Sequence, residues 1–337
     1  MKTWIQDILI SILMGIVFPG MVLNFAAACW KGPPQTVTAV SPQEQVWQSV
    51  PLVVKIRSSE GTVSEWDMDT YLVGVVLAEM PAYFETEALR AQSVVARTYA
   101  RKALATGGKH ADGSVCTQSA CCQGWISQED YLQAGGSQEN VDRVREAVLS
   151  TSGQVLTYDG ELIEATYFSC SGGSTEDALA VWGTDFPYLR AVDSPGEENA
   201  AHYQDTAVFS REELERRLDV RLTGSPETWI GSVSYTKGGG VDTAAIGGRF
   251  FTGKELRAKL GLCSTAFTVT ATQNTVTITT KGFGHRVGMS QYGADAMAAA
   301  GRSYQEILAW YYPGTQLEAL KSEPILEETP IYALKKR

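Results

Sequence analysis

Positive charge is scarce in this chain. Its 337 residues include 28 lysines and arginines against 38 aspartates and glutamates, a net charge of −10. Phosphate binding needs basic surface, so the chain is not a general nucleic-acid binder and no nucleic-acid partner is expected. Internal repeats are absent. Charge of either sign is missing from Ile8 to Cys29. As a helix that run is ~33 Å long at ~1.5 Å per residue, enough to cross a hydrocarbon core of ~30 Å. An uncleaved membrane anchor is the favoured reading of residues 1–30. The alternative is a cleaved signal segment, since Ala26-Ala27-Ala28-Cys29 loosely resembles a lipoprotein processing site. Ala26 stands there in place of the usual larger aliphatic residue. Lys2 precedes the run and Lys31 follows it, so basic flanks give little orientation.

The rest of the chain has the composition of a folded protein, with 44% hydrophobic and 20% charged residues, and the length for one large domain or two modest ones. Residues 31–50 read as a linker with Pro33, Pro34 and Pro42, residues 51–320 as one catalytic domain and residues 321–337 as a polar tail. Val53–Ile56 is a strand candidate. Asp69-Thr70 reads as a helix start, Leu72, Val75, Val76 and Glu79 then share one helical face, and Pro81 ends that helix. An Ala- and Arg-rich segment predicts a second helix over Glu85–Leu104. Asp159-Gly160 predicts a type I′ turn in a hairpin over residues 153–168. Residues 195–250 are less regular. Phe267–Thr270 and Thr275–Thr279 form another hairpin candidate, followed by helices near Gln291–Ala300 and Gln305–Tyr311. Hairpins mixed with separate helices predict an α+β fold rather than a doubly wound sheet.

Five groups carry the chemistry. Glu79 ends an apolar helix face, where the negative end of the helix dipole and partial burial both raise a carboxyl pKa and suit it to general acid work; the plain alternative is a solvated helix-end glutamate. Arg90, Arg97 and Arg101 fall on one helical stripe, either an ordinary solvated face or, if turned to a cleft, donors to sugar hydroxyls, the muramic lactyl carboxylate or Glu79. His110, Cys116 and Cys122 recur at even spacing in a Gly/Ser-rich loop and offer the imidazole and thiolates that zinc prefers; free thiols or a disulfide using Cys121 or Cys122 are the alternatives. Tyr167-Phe-Ser-Cys-Ser-Gly-Gly-Ser174 combines hydroxyls, Ser169 and Ser171 among them, with paired glycines that allow a ligand close to the backbone. Gly284 to Ala294 presents His285, Ser290, Gln291 and Tyr292, a polar and aromatic set of the kind that binds sugars. Either of these two motifs read alone is also a plain glycine-rich turn.

Together the motifs resemble the stage II sporulation protein D family. They are Ala78-Glu-Met-Pro81, Glu87-Ala-Leu-Arg-Ala-Gln-Ser-Val-Val-Ala-Arg-Thr-Tyr99, Tyr167-Phe-Ser-Cys-Ser-Gly-Gly173 and Gly284-His-Arg-Val-Gly-Met-Ser-Gln-Tyr-Gly-Ala294, in the family's order over residues 50–315. The resemblance implies a lytic transglycosylase acting on peptidoglycan between the forespore and mother-cell membranes, anchored by one N-terminal span. It implies Glu79 as the catalytic acid, and zinc in some members, matched by His110, Cys116 and Cys122. Arg90 stands where members often carry lysine, which keeps the charge but changes the donor geometry. Implied partners are peptidoglycan glycan strands denuded by a sporulation amidase, an endopeptidase, and the membrane scaffold of the engulfment machinery.

The implied reaction needs a single carboxyl. Glu79 protonates the glycosidic oxygen, then accepts a proton from the muramic C6 hydroxyl, which attacks the anomeric carbon. Ordinary glycosidases use two carboxylates, and no second one stands out in the motifs. One rival is a non-catalytic wall-binding module that enhances an amidase. Another is a cysteine hydrolase with Cys170 as nucleophile and His285 as base, against which Cys170 follows a strand pattern with no helix start to lower its pKa.

Overall fold

Asp67 caps the first helix, Met68–Glu79, its carboxylate accepting the Thr70 N–H at 2.8 Å. The helix therefore starts just ahead of Asp69-Thr70, and Asp69 serves in its first turn. Met80 leaves helical geometry (φ −128°, ψ 138°), as a residue before proline does. Glu85 opens the next helix, Thr86–Thr106, which runs to a left-handed Gly107. The computed structural model describes residues 53–320 except Ser59 and Asn274. The anchor run, the linker 31–50 and the tail 321–337 lie outside the described residues. Among the described residues no helix is long and apolar enough to cross a membrane.

The architecture is α+β, with helices set among several small sheets. Two clusters of buried apolar residues organise it. The first surrounds Thr86–Thr106, on which Met68–Glu79, Gln138–Ser150, Gln291–Ala299 and Tyr304–Tyr311 pack. Val53–Arg57 closes one end of this cluster, antiparallel to Val63–Asp67 and parallel to Val115–Cys116. The second cluster lies between the sheet of Phe267–Ala271, Thr275–Lys281 and Gln204–Ser210, the sheet of Ile230–Tyr235, Val241–Ile246 and Arg249–Thr252, and the helices Arg211–Leu218 and Gly253–Leu260. Much of the irregular stretch at 195–250 is therefore ordered strand and helix. Gln204–Ser210 buries one side chain in seven and Ile230–Tyr235 has a broken register, so neither shows the alternation that marks a strand.

The hairpin expected over 153–168 is shorter. Gln154–Tyr158 pairs with Glu161–Leu162 around Asp159-Gly160, both of positive φ. The chain then leaves, and Tyr167–Phe168 pairs in parallel with Met289–Ser290. Isolated bridges join Cys170 to Phe283 and Glu176 to Val287. The two glycine-rich motifs, more than a hundred residues apart, thus run side by side.

Candidate active site

Glu79 is half-buried at the end of its helix, with Leu72, Val75 and Val76 buried behind it. Burial raises its pKa above the ordinary carboxylate value, and a hydrogen bond from the Gly124 backbone opposes that only in part. The Gly124 N–H donates to Glu79 Oε1, and a Cβ at 124 would stand 2.9 Å from that oxygen. Glycine lets the backbone come this close without displacing the carboxylate. Lower on the same helix Gly74 does the reverse job. A Cβ there would sit 2.2 Å from the Trp125 indole nitrogen, and its carbonyl accepts the Ile126 N–H at 3.2 Å. The segment after Cys122 is thereby laid along the Glu79 helix.

Gln123, buried between, accepts from the Tyr71 hydroxyl at 3.4 Å and donates to the Tyr167 hydroxyl at 3.2 Å. Burial first, with the Glu79 charge a smaller contribution, pushes both phenols well above their ordinary value. Both tyrosines keep their protons beside the acid. Sequence reasoning missed Tyr71, Gln123 and Gly124. The signal for the last two was adjacency, Gln-Gly directly after Cys121-Cys122.

The same loop brings His110, Cys116 and Cys122 together and adds Cys121, all four ligand atoms lying within 4.8 Å of one another. Cys121 Sγ is 3.8 Å from His110 Nε2 and 3.9 Å from Cys122 Sγ. Tetrahedral zinc with Zn–S bonds of ~2.3 Å spaces its sulfurs by roughly 3.8 Å, so the donor set and its spacing fit zinc. Burial raises the Cys116 thiol, but hydrogen bonds with His110, the Gln118 backbone and the neighbouring thiols outweigh it and bring Cys116 down to about 7.

Several expected ligand-binding residues are turned inward. Arg97 is fully buried, donating to the carbonyls of Thr151, Gln154 and Val148 and pairing with Asp69 at 3.0 Å; it clamps helices and does not face a cleft. Arg90, partly exposed, is held by Glu87 at 2.5 Å and donates to Ser150 Oγ at 3.0 Å. Ser171 is buried, its hydroxyl and N–H donating to Glu197. Ser290 is buried as the cap of Gln291–Ala299, and Gln291 is 5% exposed. Half-buried Ser169 accepts through its carbonyl from the Tyr292 N–H and the Ser290 hydroxyl. Tyr167 and Tyr292 keep some exposure. Tyr292 packs edge-on against Phe84 at 4.9 Å.

His285 packs against Trp182 (5.3 Å) and Phe168 (5.6 Å), and its Nδ1 accepts the Val287 N–H. Burial, helped by the charge of Arg257, lowers its pKa to about 4, so the ring is neutral at neutral pH. Cys170 is fully buried and donates to Glu197 Oε2 at 3.0 Å. Burial and the Glu197 charge push the thiol far up. A nucleophilic cysteine needs its thiolate and a base. Here the thiol is held protonated by a carboxylate, which counts against the hydrolase reading.

The helix-end glutamate and the cysteine-rich loop beside it lie within one stretch of the chain. The stage II sporulation protein family profile matches residues 57–158, the stretch that carries this arrangement. Stage II sporulation protein D of Bacillus subtilis (strain 168) is 38% identical over 266 residues, 77% of each chain. Its namesake in Bacillus amyloliquefaciens is 36% identical over 293 residues, 85% of each chain. An amidase enhancer of Bacillus subtilis (strain 168) is 33% identical over 302 residues, 73% of this chain and 40% of that one. The chain belongs to the stage II sporulation protein D family.

Proposed function

We propose that this protein is a peptidoglycan lytic transglycosylase that cuts the MurNAc–GlcNAc linkage of denuded glycan during sporulation and leaves 1,6-anhydro-MurNAc ends. The observation that supports it most is Glu79, a half-buried carboxyl that holds its proton above the usual range and is set by burial and Gly124 rather than by a second carboxylate. Protonated Glu79 donates to the glycosidic oxygen. The departing sugar leaves Glu79 ionised, with the Gly124 N–H on Oε1 to stabilise the charge. The carboxylate then accepts the C6 hydroxyl proton as that oxygen closes on the anomeric carbon. Tyr71 and Tyr167, protonated and tied through Gln123, keep the acid's surroundings neutral.

Bound by His110, Cys116, Cys122 and Cys121, zinc would supply structural cross-linking and hold the loop that presents Gln123 and Gly124. Cys116→Ser is expected to lower metal content and unfolding temperature together, because binding energy is folding energy in such sites. Metal analysis of protein purified without chelator, beside a thermal melt, checks this; a variant with full stability and no zinc would make the metal dispensable. Localisation at the cell membrane through Ile8–Cys29, with the folded part outside the cytoplasm, belongs to the same proposal, as do glycan strands, an amidase and the engulfment scaffold as partners.

The second reading is a wall-binding module that enhances an amidase, favoured by the name of one relative. Mass spectrometry of denuded glycan treated with the protein separates the two. Anhydro ends support the transglycosylase, new reducing ends without anhydro sugar indicate water as the attacking group, and intact strands favour the module.

A further inference from the structure

The chain has three histidines. His110 lies among the cysteines beside the acid and His285 in the paired motifs. The third, His202, takes part in neither. It sits at the start of Gln204–Ser210, at the edge of the second cluster, and there it meets Asp205 and Cys263. His202 Nδ1 is 3.8 Å from Asp205 Oδ2, and Cys263 Sγ donates to the same oxygen at 3.2 Å. The three ligand atoms lie within 4.8 Å of one another. Zinc bonded at ~2.0–2.3 Å to nitrogen, oxygen and sulfur spaces its ligands by roughly 3.3–3.8 Å, close to both measured separations.

The surroundings hold these groups in place. The His202 ring stacks on Phe283, centroids 4.7 Å apart and planes 30° apart. The Cys263 carbonyl accepts the Gly284 N–H at 3.1 Å, and the Tyr203 carbonyl accepts the Gly282 N–H at 2.9 Å. Beside Asp205 and Cys263 opens a cavity of about 70 Å³ that Thr280 and Leu262 also line. A water needs ~10–15 Å³ of such space, so a fourth ligand has room. One imidazole, one carboxylate and one thiol are the donors of a borderline transition metal, since calcium and magnesium take oxygen alone.

We propose that His202, Asp205 and Cys263 form a second divalent-metal site, for zinc, with its fourth position open to this cavity. The ion ties the start of Gln204–Ser210 to the segment after Gly253–Leu260, next to the Phe283-Gly284 turn that enters the His285 motif. This inference stands apart from the transglycosylase reading. All three residues are at least partly exposed, so the site is reachable and its variants keep the buried core intact.

The test is metal content of full-length, tag-free protein after equilibrium dialysis against zinc. Cys263→Ser and His202→Gln should each lose one equivalent relative to wild type, and the double variant no more than either. Cys116→Ser should lose a different equivalent, additive with Cys263→Ser. With cobalt in place of zinc, Cys116→Ser should retain a thiolate-to-metal absorption band that vanishes when Cys263→Ser is added. If Cys116→Ser does not fold, the cobalt difference spectrum of wild type against Cys263→Ser carries the same information. Wild-type metal content in both Cys263→Ser and His202→Gln overturns the proposal.

Discussion

Glu79 and Glu197 both accept from glycine backbone, and their surroundings differ in kind. Glu197 is 1% exposed and accepts from the Cys170 thiol, the Ser171 and Gly172 N–H groups, and the Ser171 and Ser194 hydroxyls. Its lone pairs are occupied, and it fixes the loop around Cys170. Among the described residues Glu79 accepts one backbone hydrogen bond, from Gly124 on Oε1. A carboxylate surrounded by donors organises structure. One that is desolvated and under-supplied with donors keeps a proton to give.

The largest effect expected from this contrast is on Glu79→Gln. The amide keeps the shape and the packing on Leu72, Val75 and Val76 but can neither deliver nor recover a proton. General acid–base help is worth ~10²–10⁴ in rate, and in the proposed reaction one group serves both roles, so a loss of at least ~10⁴ is expected with glycan binding retained. Measured turnover of denuded glycan close to wild type would move the acid elsewhere. Glu197→Ala comes next and falls on stability. It strips several buried donors of their acceptor, at ~1–3 kcal/mol for each group left unsatisfied, so a loss of at least ~3 kcal/mol is expected in urea unfolding. A stable Glu197→Ala protein that has lost only activity would erase the distinction between the two carboxylates.

Glu79, one half of this contrast, is legible in the sequence, whereas Glu197 is not, because its partners lie on segments that meet only in the fold. Helical spacing and Pro81 placed Glu79 correctly, because local geometry alone decides a helix end. The same spacing put Arg90, Arg97 and Arg101 on one stripe, but periodicity says which residues share a face and not what that face meets. Gln138–Ser150 packs over Arg97 and turns it into a clamp. Ser171 and Ser290 look like ligand-binding hydroxyls in sequence, whereas their partners, Glu197 and Ser169, become visible only when distant segments pair. Cys121 is visible in the sequence as a thiol but not as a member of the His110, Cys116 and Cys122 cluster, since its loop closes through contacts with the first helix. Gln204–Ser210 and Ile230–Tyr235 carry weak alternation because they bury little.

Gly124→Ala probes the backbone donor on Glu79. The added Cβ would meet Oε1 at 2.9 Å, so the carboxylate must swing or the backbone must shift. A displacement of ~1 Å at a reacting group costs ~10² in rate, or about 2.7 kcal/mol, less than either change above. The expected result is a ~10²-fold lower turnover with an unchanged unfolding midpoint. Full activity in this variant would mean that the Gly124 N–H has no part in holding the acid.

The smallest effect concerns pH and has a definite sign. In the unfolded chain Glu79 titrates near its ordinary value of 4.5, and burial raises it in the folded protein. Between those two values the folded state holds a proton that the unfolded state has lost. Stability contributed by this group is therefore present below the unfolded value and declines as pH rises through the folded one, the reverse of a salt-bridged aspartate. Glu79→Gln has no such titration. The unfolding temperature of the variant minus that of wild type should rise as pH increases through this window and then level off. His285 cannot produce the difference, since it is present in both proteins. Melts of both proteins in matched buffers from acid to neutral pH check it. A flat difference would mean that water and the Gly124 N–H solvate the Glu79 carboxylate as well in the folded protein as in the unfolded chain, and that its proton is no easier to keep than that of any surface glutamate.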